Sequence, residues 1–236
     1  MVKVKLAGVP IEMDNRYPDL AWLCAGYETD EAPQISLAVT PQELELERSM
    51  QSEIFSDGYL ETVCMYRKLA LEMLRYGVFI LHASVIEVDG EGYGFLARSG
   101  TGKTTQTMLW LEHFGHRARV INGDKPLIRV EKDGDAWRFI AYGTPWCGKE
   151  NMGCNASVPL KALFLLERAP SPSCMRADEA ASIDGIFHQM LMPGQAEQMD
   201  ALLAMADRII ESLPIYVLRC NMKEESVTAA YEAAGK

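Results

Sequence analysis

Positive charge is in short supply in this chain. Against 33 Asp and Glu residues stand 23 Lys and Arg, a formal net charge of -10. A surface of that sign repels phosphate backbones, so nucleic acid is excluded as the main partner and any anionic ligand has to be captured locally. Histidine is scarcer still, with four residues, and His113, His116 and His188 fall in helical or helix-end contexts that suggest no role. Paired short cysteine spacings are missing altogether. Cys24, Cys64, Cys147, Cys154, Cys174 and Cys220 are scattered, which fits reduced thiols rather than a zinc site. Cys147 and Cys154 flank a polar loop, but with no histidine beside them they are a weak metal signal. No apolar run approaches bilayer-spanning length. The opening MVKVKLAG alternates charge with apolar residues, unlike a secretory leader. No Pro/Gly/Ser-rich linker, charge block or repeat divides the chain. These absences lead to the expectation of a cytoplasmic protein without a membrane segment, made of one main domain (56–236) and a small N-terminal annex (1–55).

What is present is local and specific. Ala97-Arg98-Ser99-Gly100-Thr101-Gly102-Lys103-Thr104-Thr105 follows an apolar stretch and opens a helix. The pattern is that of a P-loop with alanine in place of the first glycine. Inward-facing amides of Ser99, Gly100, Thr101 and Gly102 and the positive end of the following helix suit a nucleotide's phosphates. Lys103 would reach the terminal phosphates. The Thr104 hydroxyl would ligate the accompanying Mg²⁺, with Thr105 beside it.

Around this motif the chain alternates strand and helix patterns. A helix capped at Ser56 or Asp57 runs through Tyr59, Val63, Tyr66, Ala70 and Leu74 and ends at Gly77. Val78 to Val88 reads as one extended strand, Asp89-Gly90-Glu91-Gly92 as a turn, and Tyr93 to Ala97 as a return directly into the P-loop. The P-loop strand therefore has an antiparallel hairpin partner, where most nucleotide-binding α/β domains enter the loop from a parallel strand. Ala118 to Asn122, Leu127 to Val130, Trp137 to Ala141 and Lys161 to Glu167 read as strands. A largely helical C-terminal part follows, with helices over about Asp178 to Leu191, Ala196 to Leu213 and from Glu224, and a strand over Ile215 to Cys220. The fold class expected is α/β, a mixed sheet with a hairpin entering the P-loop.

A P-loop needs a carboxylate and charge-neutralising groups nearby. Asp124, just past the strand Ala118 to Asn122, is placed to bind Mg²⁺ or accept a hydroxyl proton, although a turn aspartate after Asn-Gly is also an adequate reading. His82 lies one hairpin ahead of the loop; a lone histidine in an apolar strand is more often a core residue. Gly143 to Asn151 forms a loop that would present Lys149 and Glu150 to a ligand or simply to solvent.

In order and motif, residues 79 to 167 resemble the kinase domain of the bacterial HPr kinase/phosphorylase family, whose fold is shared with ATP-dependent phosphoenolpyruvate carboxykinase. The resemblance rests on His82, a hairpin, Ser99 to Thr104 and an acidic position after the next strand. It implies an ATP- and Mg²⁺-dependent phosphotransferase acting on a hydroxyl, expected to be serine, of a peptide or small protein. A small-molecule acceptor is a further candidate, and a homo-oligomer is compatible with it. The resemblance also implies that His82 and Asp124 surround the metal and the transferred group. Two departures stand out. The first acidic position of the family's pair is Gly123 here, so Asp124 does both jobs or Glu150 supplies the second carboxylate. The first 50 residues do not match the family's N-terminal domain. Gly123 keeps open a nucleotide-binding regulator without catalysis, and a carboxykinase-like enzyme acting on a small acid ranks last.

Overall fold

The computed structural model describes residues 1–98 and 100–235. The chain starts with β1 (Val2–Leu6) and β2 (Val9–Asp14), an antiparallel pair that reverses at Ala7 and Gly8, both at positive φ. A short helix α1 (Asp19–Leu23) leads to β3 (Ile35–Ala38), which adds to β2 in parallel. Helix α2 (Pro41–Met50) begins on a reciprocal cap between Thr40 and Glu43, with Pro41 where its missing N–H costs nothing. Helix α3 (Asp57–Met73) is capped by Ser56, tightens into a 3₁₀ turn over Leu74–Tyr76 and stops at Gly77, φ +68°.

The second part holds β4 (Val78–Ile80), β5 (Ala83–Val88), β6 (Glu91–Leu96), α4 (Lys103–Phe114), β7 (Ala118–Asn122), β8 (Leu127–Asp133), β9 (Ala136–Tyr142) and β10 (Ser157–Arg168). After these come β11 (Ser173–Arg176), α5 (Glu179–Phe187), α6 (Ala196–Ser212), β12 (Ile215–Cys220) and α7 (Glu225–Ala234). One mixed sheet runs in the order β4-β8-β9-β10-β6-β5-β7, with β12 also on β10 and β11 on β12. Strand β10 turns the sheet's character. Its first residues pair antiparallel with β9, and the rest run parallel to β6 and β12. β6 thus has antiparallel β5 on one side and parallel β10 on the other before the chain enters the loop.

The single strand expected over Val78 to Val88 is in fact two. β4 pairs with β8, whereas β5 pairs with β6 and β7, toward the opposite end of the curled sheet. Leu81 and His82 carry the chain across. Their backbone groups find partners outside the ladder: Leu81 N–H donates to the Pro126 carbonyl (3.3 Å) and His82 N–H to the Gln189 carbonyl (2.8 Å). His82 therefore stands at a break, not within a strand. The same contacts shorten the helix expected to reach Leu191. It ends at Phe187, because Gln189 and Met190 are drawn away to meet His82 and Leu81. Strand β11 carries no apolar alternation and was not expected; it forms by pairing with β12.

Two bodies of core fix the elements near the loop. Residues of β1, β2, β3 and α3 pack with Val78, Ile80, Leu127 and Trp146 in a continuous apolar cluster, so α3 is the seam between the N-terminal strands and the larger sheet. On the other face, α4 and α7 seat on β6 and β10 through aromatic rings. Trp110, fully buried, lies 4.9 Å from Tyr93 and 5.3 Å from Phe95 between ring centroids, with Phe114 and Phe164 around it. Because Phe95 is on the strand entering the loop and Trp110 on the helix leaving it, this contact sets the loop's span. Replacing Trp110 with alanine is expected to cost about 3–5 kcal/mol, measured as a lowered urea midpoint of the purified protein.

Candidate functional site

The loop between β6 and α4 is shaped by glycine and by one arginine. Gly100 (φ +76°) and Gly102 (φ +127°) hold backbone conformations that other residues adopt only under strain. Arg168, at the end of β10, donates from Nε to the Thr101 carbonyl (3.2 Å) and from Nη2 to the Gly100 carbonyl. A trans peptide points its N–H opposite to its C=O, so anchoring the Thr101 carbonyl turns the Gly102 N–H away from Arg168. The Thr101 amide differs from expectation. It closes a turn on the Arg98 carbonyl (3.1 Å), the acceptor within its reach. Ser99, expected to contribute to the cradle, lies outside the described residues.

Three elements converge at the loop's inner edge. Lys103, the first residue of α4, reaches back so that Nζ lies 3.0 Å from His82 Nε2 and 3.3 Å from the Ala97 carbonyl. His82 Nε2 is also 3.1 Å from Asp124 Oδ1. One ring nitrogen serves one partner at a time: as N–H it donates to Asp124, and as a lone pair it accepts from Lys103. Asp124 is itself held by its neighbours. The Asn122 side chain accepts from the Asp124 N–H (2.9 Å) and the Lys125 N–H (2.7 Å), an Asx turn at the end of β7. Its amide in turn donates to Thr144 (Oγ1, 3.0 Å), and Thr144 donates to the Lys125 carbonyl (2.9 Å).

The electrostatics follow from this packing. Burial pushes the Asp124 carboxyl upward, but the hydrogen bond from His82 and the charges of Lys125, His82 and Lys103 outweigh it and hold the group below the usual carboxylate range. Burial lowers the Lys103 ammonium, opposed by the charge of Asp124. Lys125 Nζ is 3.6 Å from Asp124 Oδ2 and sits over the Tyr66 ring, 5.1 Å from its centroid. Asp124 is therefore an ionised acceptor flanked by ammonium groups.

These residues line one cavity of about 790 Å³, within the range of small-molecule sites. His82, Gly100, Gly102, Lys103, Thr104, Thr105, Asp124, Lys149 and Glu150 all border it. The structure thus brings together every described residue singled out in the sequence except Thr101. Arg98, Lys125 and Trp146 also border it, although the sequence reading gave them no role. Asn122 entered the sequence reading only as part of an Asn-Gly turn before Asp124, and the structure makes its side chain the acceptor of an Asx turn. Among the described residues no three His, Cys, Asp or Glu side chains cluster to hold a metal. One carboxylate and one hydroxyl, Asp124 and Thr104, still fit Mg²⁺, which takes few protein oxygens and completes its shell with phosphate and water.

Gly123 has a packing reason. A Cβ there would sit 2.9 Å from the Cys147 carbonyl and 3.1 Å from the Met152 carbonyl, while Gly123 N–H donates to that Met152 oxygen at 2.8 Å. The loop over Gly143 to Asn155 lies against the end of β7, leaving no room for a side chain. Glu150 reaches the cavity from this same loop.

No family model matches the sequence, and no curated protein matches it. Among solved structures the chain is similar to the Hpr(Ser) kinase/phosphatase from Coxiella burnetii, at 10% identity over 65% of this chain and 94% of the other, with a TM-score of 0.35. A likeness of that size defines neither fold nor activity. No helix among the described residues is long and apolar enough to cross a membrane. The packing of Gly123 makes Gly123→Asp destabilising by about 1–3 kcal/mol, without any rise in nucleotide-dependent activity; a thermal melt and an ATP-turnover assay on the variant check both parts.

Proposed function

We propose that the protein is an ATP- and Mg²⁺-dependent kinase that transfers the γ-phosphoryl group to a hydroxyl, serine above all, of a peptide or small protein. The observation that carries this reading is the meeting of Lys103, His82 and Asp124 at the inner edge of the glycine loop, within one cavity. Phosphoryl transfer asks little covalent chemistry of a protein and much positioning and charge neutralisation, and these are the groups such a site requires.

In this reading the Gly102 amide and the start of α4 hold the phosphates, and Lys103 leaves His82 for the γ-phosphoryl oxygens. Asp124 and Thr104 would hold the metal, which would supply positive charge against the phosphoryl oxygens. Arg98 and Lys125 add positive charge at the same cavity. The acceptor oxygen bonds to the γ-phosphorus as the bond to the β,γ-bridging oxygen breaks. ADP leaves with that electron pair, and the hydroxyl proton passes to Asp124. A carboxylate held below its usual range is a weak base, which suits a transition state where the proton is lost late.

Gly123 supports a second reading, a nucleotide-binding regulator without turnover, because the site offers a single carboxylate at the end of β7. Label from γ-labelled ATP separates the two. Lys103→Ala is expected to lower transfer roughly 10²–10³-fold with the melting temperature kept, and Asp124→Asn to lower it by a similar factor. ATP binding with no transfer by the unaltered protein, to any component of a peptide pool, overturns the kinase reading in favour of the regulator.

A further inference from the structure

A second cavity of about 670 Å³ adjoins the first. The two share one wall, formed by Asp19, Leu23, Pro145, Cys147 and Asn151. Its far side is built by the N-terminal segment from Trp22 to Tyr27 and by Asn155, whose side-chain amide donates to the Gly26 carbonyl at 2.8 Å. A segment far from the glycine loop in sequence is thus fastened to the loop that covers Gly123.

The two cavities differ in charge. The first is bordered by Arg98, Lys103, Lys125 and Lys149, set against Asp19, Asp124 and Glu150. Among the described residues lining the second, Asp19 is the one charged side chain. Burial holds the Cys147 and Cys154 thiols in their neutral form and keeps Tyr27 protonated. A polyanion thus finds basic partners in the first cavity and none among the described residues lining the second, which suits a neutral or cationic partner. The second is also large for a lone amino acid, and Trp22, at its rim, leaves 71% of its surface exposed. An exposed indole beside a polar trough is a common anchor for a peptide chain.

We infer that this second cavity seats the acceptor: a peptide segment that lies along the residues bordering both cavities and presents a serine or threonine hydroxyl to the first, with a basic residue beside it paired to Asp19. The inference rests on the kinase reading and adds the acceptor's seat and charge preference. Trp22 packs on the peptide, and Asp19 selects its charge.

The test uses the full-length protein, γ-labelled ATP and Mg²⁺. The acceptors are short synthetic peptides with a central serine flanked by Lys, Ala or Glu, and, in a separate arm, free serine and glycerol. Lys-flanked peptides are expected to label best. Trp22→Ala should raise the KM for the preferred peptide about tenfold, and Asp19→Asn should erase the preference of Lys over Ala. Binding of a non-hydrolysable ATP analogue reports that both variants are folded. Peptide labelling with KM and charge preference unchanged in both variants overturns the inference and leaves the kinase reading standing. Labelling of free serine or glycerol but of no peptide overturns it as well. Absence of transfer by the unaltered protein to every acceptor is the failure of the kinase reading itself.

Discussion

A carboxylate taken partly out of water must be compensated, and the ionised Asp124 is compensated from three directions. Lys125 comes from its own turn, His82 from the crossover between β4 and β5, and the charge of Lys103 from the start of α4. Each of these placements depends on a departure from regular structure. The Asx turn at Asn122 aims Asp124 inward, the break at Leu81 and His82 lets the imidazole face it, and the glycine loop starts α4 where its first lysine can reach. Three local irregularities of the chain thus meet at the point where the charge of Asp124 is compensated.

Parts of this arrangement were legible in the sequence, and the boundary between legible and hidden is physical. The loop and α4 could be read because glycine, lysine and threonine at fixed spacing encode a local backbone shape. The caps of α3, and its end at Gly77, are local for the same reason. The break at His82 left no such mark. Val78 to Val88 carries no glycine or proline, and only the closure of a curled sheet, with β4 and β5 toward its opposite ends, forces the chain out of the ladder. The early end of α5 has the same origin. Strand β11 was hidden because its pairing with β12, not its own composition, makes it extended.

Among the site residues, Asp124 could be anticipated from its place after a strand, whereas Asn122 was legible as a turn residue and not as the side chain that positions Asp124. The second cavity was beyond reach of any local reading, since residues 19–27 and 144–155 meet only when α3 joins the N-terminal strands to the larger sheet. Gly123 shows the converse. From sequence it is a missing acid; in the structure it is a contact surface, where two carbonyls of the covering loop occupy the space a side chain would need.

The wall common to the two cavities has a thermodynamic consequence. Asp19 and Leu23 belong to a short helix, and Pro145, Cys147 and Asn151 to an irregular loop, so the partition is made of the segments with least regular hydrogen bonding of their own. A ligand on either side restricts the same few residues, and the ordering entropy is spent once for two occupants. Any effect of one cavity's occupant on the affinity for the other has, by linkage, to be equal in both directions.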